Sequence, residues 1–413
     1  MHRPTSRHAR VCTGVFAVAA LVALSALAPA ALASSSSAAD QSASPAPAAA
    51  PATTITSDLS PATVVYGDGV TVKGQVTPAA AGEQVNVSLG GAVVATVQTD
   101  ATGAYSAHFE PARSGDVTAT VVADGTRSAA QHLVVKPKVT VTHGSPVPFC
   151  ALGFTVKVEP ASYGGTLMAE VAHRGANVAT VKAAVRSGKA SFQVPLRGID
   201  KFDVTVSLPA ADGLGARAVQ TTVQAKWARV ATGSSGSRVR GLLTALSRLH
   251  FRVPYIGTSF NSQCADSVVA FQKAYGLTRD YVFGADDWRK LDGAKLIKPR
   301  HSGPSTHLEV DNGRQILMVV KNGAAYGIIA VSTGATNNTP EGSFHIQQKH
   351  PYTTSGFGGI LFRTMGFVGN FAIHGYSPVP PYPASHGCVR EPMWVADWTY
   401  NQSWVGEQLY VYH

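Results

Sequence analysis

The stretch GGAVVATV at residues 90–97 returns, loosely, as RGANVATV at 174–181. Each copy is followed by a glycine turn, a run containing phenylalanine, and then VTATV (117–121) or DVTV (203–206). Around them stand short alternating runs such as Val70-Thr71-Val72-Lys73 and Val85-Asn86-Val87-Ser88. Gly67-Asp68-Gly69, Gly90-Gly91 and Asp100 to Gly103 separate these runs. A period of two buries one face of a strand and wets the other, which excludes a helical bundle here. The repeat predicts two tandem antiparallel sandwiches, over residues 53–136 and 137–226. Each has roughly 85 residues, a size that suits such folds.

These two units resemble the immunoglobulin-like spacers of exported bacterial surface proteins. No aromatic or charged cluster marks a binding site on them, so they read as a passive stalk rather than an adhesin. What precedes them agrees with export. His2, Arg3, Arg7, His8 and Arg10 lead into an apolar run from Val11 to Leu27, and Ala31-Leu32-Ala33 supplies small residues for cleavage. Residues 1–33 read as a secretory signal peptide. Residues 34–52, SSSSAADQSASPAPAAAPA, lack the apolar bulk to pack and read as a disordered Ser/Ala/Pro linker. No later stretch is long and apolar enough to span a membrane. The expected product is secreted and wall-associated.

The full chain carries a formal charge of +10. Arg3, Arg7 and Arg10 leave with the leader, so 31 Lys+Arg face 24 Asp+Glu, a net +7. The charge is spread without basic runs or interleaved aromatics, which argues against a nucleic-acid partner and for general attraction to an anionic surface.

At Gly233-Ser234-Ser235-Gly236 the pattern turns helical. Val239, Leu242, Leu243, Leu246 and Leu249 make one apolar face, with Ser237 as expected N-cap. A second helix holds Val268, Val269, Phe271 and Gln272 before Tyr275-Gly276-Leu277, and a third holds Trp288 and Leu291. This order over residues 236–292 resembles the three-helix peptidoglycan-binding domain of bacterial wall hydrolases. The loop from Thr258 to Cys264 departs from that family's pattern, so a packing role stands beside glycan binding.

Beyond Thr306, HLEVD (307–311), Gln315 to Val320, Gly327 to Thr333 and Phe344 to Gln347 read as strands, and Asn322-Gly323 marks a hairpin. Within this region stand Ile373-His374-Gly375-Tyr376 and Ser385-His386-Gly387-Cys388-Val389-Arg390. Acyl transfer needs a nucleophile, a base and an oxyanion site. A thiol is weakly ionised at neutral pH, and a nearby histidine can take its proton. The amides of Gly387 and Cys388 are candidates for the oxyanion. Two other readings use the same side chains: zinc ligation by His374, His386 and Cys388, for which no fourth ligand is evident, and a core thiol among loop histidines.

The H-G then S-H-G-C-V-R motif, with V-S-T-G-A-T-N-N-T-P-E-G-S-F at 331–344, resembles the L,D-transpeptidases over residues 305–413. The resemblance implies a mainly β, multidomain chain ending in a β-sandwich catalytic domain that acts on peptidoglycan stem peptides and glycan. It implies Cys388 as nucleophile and His374 as base and acid, with His386 beside them. Ser385, Gly387, Gly375, Arg390 and Tyr376 would shape the oxyanion and substrate sites. No metal or organic cofactor is implied. Hydrolysis in place of transfer would make a carboxypeptidase, and a decayed active site would leave a wall-binding scaffold. Of the four cysteines, Cys12 leaves with the leader. If Cys388 must stay free, Cys150 and Cys264 are the pair available for a disulfide, with two separate thiols as the alternative.

Overall fold

The computed structural model describes residues 51–413; the expected signal peptide and nearly all of the Ser/Ala/Pro linker lie outside the described residues. The chain is mainly β. Its first part holds β1 (Thr54–Ile55), β2 (Asp58–Ser60), β3 (Thr63–Val65), β4 (Val70–Thr77), β5 (Gln84–Leu89), β6 (Ala92–Gln98), β7 (Ala104–Phe109), β8 (Gly115–Val121) and β9 (Gln131–Lys136). Strands β1-β4-β2, with β7 on β4, form one sheet, and β3-β9-β8-β5-β6 form another. Alternation decides what they bury: Val70, Val72 and Val76 of β4 share a core with Val85, Val87, Val117 and Leu133.

The next stretch repeats the plan with β10 (Lys138–His143), β11 (Ala151–Glu159), β12 (Thr166–His173), β13 (Ala176–Ala184), β14 (Lys189–Pro195), β15 (Asp200–Leu208) and β16 (Arg217–Ala225). Its sheets run β10-β11-β14 and β13-β12-β15-β16. Ser114 and Gly215 bridge the two halves, their amides donating to the carbonyls of Gly213 (2.7 Å) and Val135 (2.8 Å).

Three helices follow: α1 (Ser237–Arg248), α2 (Ser262–Tyr275) and α3 (Ala285–Asp292). Ser237 is the first residue of α1, and the cap position is Gly236 at φ 104°, with no side-chain cap. The helix is held by the burial of Val239, Leu242, Leu243 and Leu246. Helix α2 is capped by the Asn261 side chain, which accepts from the Cys264 amide at 3.0 Å. Gly276 ends it at φ 69°, a left-handed angle that glycine adopts without strain.

The remainder holds β17 (His307–Asp311), β18 (Ile316–Lys321), β19 (Ala324–Ala330), β20 (Gly342–His345), β21 (Gln348–Thr354), β22 (Ile360–Val368), β23 (Phe371–Gly375), β24 (Val389–Glu391), α4 (Met393–Gln402) and β25 (Gln408–Tyr412). Strands β19-β18-β17-β25-β20 make one sheet and β21-β22-β23-β24 the other. Asn322 (φ 51°) and Gly323 (φ 73°) turn β18 into β19.

Strand β18 reads ILMVVK, without alternation, because it is buried on both faces. Leu317 and Val319 join Leu308, Val310, Met365, Phe367 and Ile373 between the two sheets. Ile316, Met318 and Val320 point the other way, into a core with Leu242, Leu246, Val268 and Phe271 of the helices. The helices and the C-terminal sheets therefore share one apolar layer. Among the described residues no helix is long and apolar enough to cross a membrane.

The expected Cys150–Cys264 disulfide is absent: both residues are free thiols. The Cys150 sulfur faces the Ser237 carbonyl at 3.3 Å, and Cys264 is buried in the first turn of α2 with its sulfur toward the Ser259 carbonyl at 3.9 Å. Each thiol is thus turned to a partner of its own.

Candidate active site

The site lies on the outer face of the sheet β21-β22-β23-β24. Gln348 and His350 of β21, Thr364 and Gly366 of β22, Ala372 and His374 of β23, then Cys388 and Arg390, line one cavity of about 660 Å³. Strands β23 and β24 run parallel, with Ile373 opposite Val389 and His374 opposite Arg390. This pairing brings the H-G and C-V-R elements together across the intervening residues 376–387. Tyr376, Ser385 and His386 complete that end of the cavity.

Cys388 sits just before β24 with its thiol 3.6 Å from the Asn370 carbonyl. Burial pushes the thiol above its ordinary range, against the Ala372 amide and the Arg390 charge, which both lower it. His374 is buried, and burial holds its imidazole down at about 4; the Gly375 bond raises it and Arg390 lowers it further. Its Nδ1 faces the Gly375 carbonyl at 3.2 Å, so Nδ1 carries the hydrogen and Nε2 keeps a free lone pair. The resting pair is a neutral thiol and a neutral imidazole. No direct hydrogen bond joins them, a looseness common before substrate binds.

The Ser-His-Gly-Cys turn is a self-closed unit. Ser385 Oγ donates to the Cys388 carbonyl at 2.5 Å and accepts the Gly387 amide at 2.9 Å. Ser385 is thus the clasp of the turn and the Gly387 amide is committed to it, so of the two candidate amides the Cys388 amide is the one not engaged by this clasp. Gly387 has φ 135°, and a Cβ there would stand 2.4 Å from the Phe371 ring. No larger residue fits without moving that ring. Gly375 is likewise off the cavity wall, packed where a Cβ would meet Ala396 at 2.8 Å.

His386 stacks on the exposed Phe357 ring at 4.2 Å, at the rim of the cavity. Arg390 lies over the Tyr376 ring at 4.7 Å, and the Tyr376 amide donates to the Glu391 carbonyl. Tyr376 thereby braces Arg390, whose charge acts on both Cys388 and His374. Among the described residues no group of three His, Cys, Asp or Glu side chains is placed to hold a metal ion.

Sequence reasoning assigned no role to Asn338 and Thr339, which hold the turn from beneath. Asn338 Nδ2 donates to the His386 carbonyl at 2.9 Å and Thr339 Oγ1 to the Gly387 carbonyl at 2.6 Å. Ser332 pairs with Arg390 through both backbone bonds, and the amides of Ala384 and Ser385 donate to the Thr333 carbonyl. The signal was present in the quoted stretch 331–344. Asn338 and Thr339 stand inside it, and residue type alone does not show that their side chains reach the turn. Phe357, Asn370 and Phe371 gave no comparable signal.

Residues 305–411 match the family profile of the YkuD L,D-transpeptidase catalytic domain. No curated protein matches the chain. Among solved structures, an L,D-transpeptidase of Xylanimonas cellulosilytica (its residues 123–326) is 30% identical, covering 45% of this chain and 98% of that one, with a TM-score of 0.43. An L,D-transpeptidase of Stackebrandtia nassauensis is 20% identical over 45% of this chain and 95% of its own, with a TM-score of 0.31. One from Mycobacterium smegmatis is 11% identical, covering 67% and 99%, with a TM-score of 0.25. Residues 305–411 therefore form a YkuD L,D-transpeptidase catalytic domain.

Proposed function

We propose that this protein is an exported L,D-transpeptidase that cross-links peptidoglycan stem peptides through an acyl-enzyme on Cys388. The observation that carries the reading is the meeting of Cys388, His374 and Arg390 in one cavity, with the His374 Nδ1 fixed by the Gly375 carbonyl. The Cys388 sulfur attacks the carbonyl of the third stem residue as its proton passes to His374 Nε2. The S–C bond forms, the oxyanion is received by the Cys388 amide beside the Arg390 charge, and each such donor contributes on the order of 3 kcal/mol. Collapse breaks the C–N bond, and His374 delivers the proton to the departing D-alanine amine. The amine of a second stem then attacks the thioester, His374 takes its proton, and the thiol is restored.

The leader would export the chain, and the linker and two immunoglobulin-like sandwiches would act as a spacer that carries the active site into the wall. The three helices resemble a peptidoglycan-binding module, and the excess positive charge favours an anionic wall surface. Mass analysis of products from purified tetrapeptide muropeptides tests the reaction. Cross-linked dimers support transfer, tripeptides alone indicate a carboxypeptidase, and unchanged muropeptides refute both.

A further inference from the structure

The loop 377–383 joins the His374 strand to the Cys388 turn and carries four prolines. It is held from outside the catalytic domain. Arg279 donates to the Pro381 carbonyl at 3.0 Å, and the Tyr281 hydroxyl donates to the Val379 carbonyl at 3.1 Å. Within the domain, Ser332 Oγ donates to the Tyr382 carbonyl at 2.8 Å.

The turn that presents Arg279 and Tyr281 is itself built for the task. Tyr281 sits at φ 64°, a left-handed angle that costs a non-glycine residue energy and persists only where its surroundings impose it. The buried Gln272 of α2 imposes it. Its Oε1 accepts the amides of Asp280 (3.1 Å) and Tyr281 (3.2 Å), and its Nε2 donates to Asp280 Oδ1 (2.8 Å) and the Val282 carbonyl (3.1 Å). At the next position of α2, the buried Lys273 donates to the Val331 carbonyl at 2.7 Å, next to Ser332, which pairs with Arg390.

We propose that Arg279 and Tyr281, set by Gln272, are positioning residues that hold the nucleophile's turn in register with His374. The helical module thus completes the active site from behind, whatever it binds at its own surface. This rests on the transpeptidase reading above for its kinetic arm only. Losing these anchors should let the turn move relative to His374, and misplacement on the scale of an ångström slows chemistry by up to about a hundredfold.

The test uses the mature chain with Arg279→Ala, Arg279→Lys and Tyr281→Phe, the last deleting one oxygen. A control, Val239→Ala, lowers the melting temperature through the α1 core. Expected is a fall in kcat on the order of tenfold for Arg279→Ala, with KM within about twofold, partial recovery in Arg279→Lys, and a smaller fall in Tyr281→Phe. Val239→Ala should keep kcat at temperatures where it stays folded. Unchanged kcat in both Arg279→Ala and Tyr281→Phe, or an equal fall in the control, overturns the proposal. If the wild type turns over no stem peptide, the transpeptidase reading fails, and alkylation of Cys388 by iodoacetamide, followed on its own peptide, decides the clamp. A changed alkylation rate in the clamp variants sustains it, and a wild-type rate in both removes it.

Discussion

Thr339 Oγ1 donates to the Gly387 carbonyl at 2.6 Å, tying a loop residue 48 positions upstream to the peptide that carries the Cys388 amide. The same oxygen accepts the Gly334 amide at 2.9 Å. Thr339→Val keeps the shape and leaves two buried backbone groups unpaired, at a cost of about 1–3 kcal/mol each. The account predicts a turn that no longer presents its amide, and acylation slowed by about tenfold or more with the fold retained. Stopped-flow acylation with a carbapenem-type thiol-directed β-lactam, beside a melting curve, would check it.

His374 titrates at about 4 because burial disfavours its charged form. The imidazole is therefore neutral down to that pH, and if it is the base the acid limb of kcat/KM should fall near 4 rather than near 6.5. A limb at 6.5 in the wild type would show a solvated imidazole. His374→Ala should remove the limb and lower acylation by about 100-fold to 10,000-fold.

Glu391, the last residue of β24, is fully buried against α4, where Thr399 Oγ1 donates to its Oε2 at 2.6 Å and its Oε1 has no partner among the described residues. Burial raises it from 4.5 to about 8. A raised carboxyl favours the folded state fully below the unfolded value, and that contribution is lost as pH rises through about 8. Glu391→Gln should match the wild type near pH 4 and melt several degrees higher near pH 8.5. Parallel melting curves at the two pH values measure the difference; equal pH slopes would contradict it.

Residues 304–413 alone should not fold stably. Cutting away the helices bares Ile316, Met318, Val320 and Ile328, and removes Lys273 from the Val331 carbonyl. Each such apolar side chain re-exposed costs about 1.5–3 kcal/mol. Size-exclusion and thermal unfolding should show aggregation or no cooperative transition for this fragment. A monomeric, cooperatively melting 304–413 would contradict the shared layer.

The turn at 385–390 was legible because S-H-G-C-V-R packs a thiol, a glycine and a cation into adjacent positions. Strands such as β4 and β5 were legible because one face is wet. Strands β21 and β22 were not: Gln348, His350, Thr364 and Gly366 face the cavity, so no apolar alternation announces them. The double burial of β18 shows in its unbroken apolar run, yet only the fold reveals that α1 and α2 cover the second face. Ser385 was expected to help shape the oxyanion and substrate sites; its hydroxyl closes the turn, a local bond that residue type alone does not distinguish.

The central claim is that Cys388 carries the acyl group. Intact-mass spectrometry of the mature protein mixed with a tetrapeptide stem donor, quenched in acid, tests it most directly. The account predicts a covalent adduct of the donor less D-alanine, mapped to the Cys388 peptide and absent from Cys388→Ala. An adduct that persists in Cys388→Ala, or turnover without any adduct on the thiol, would contradict it.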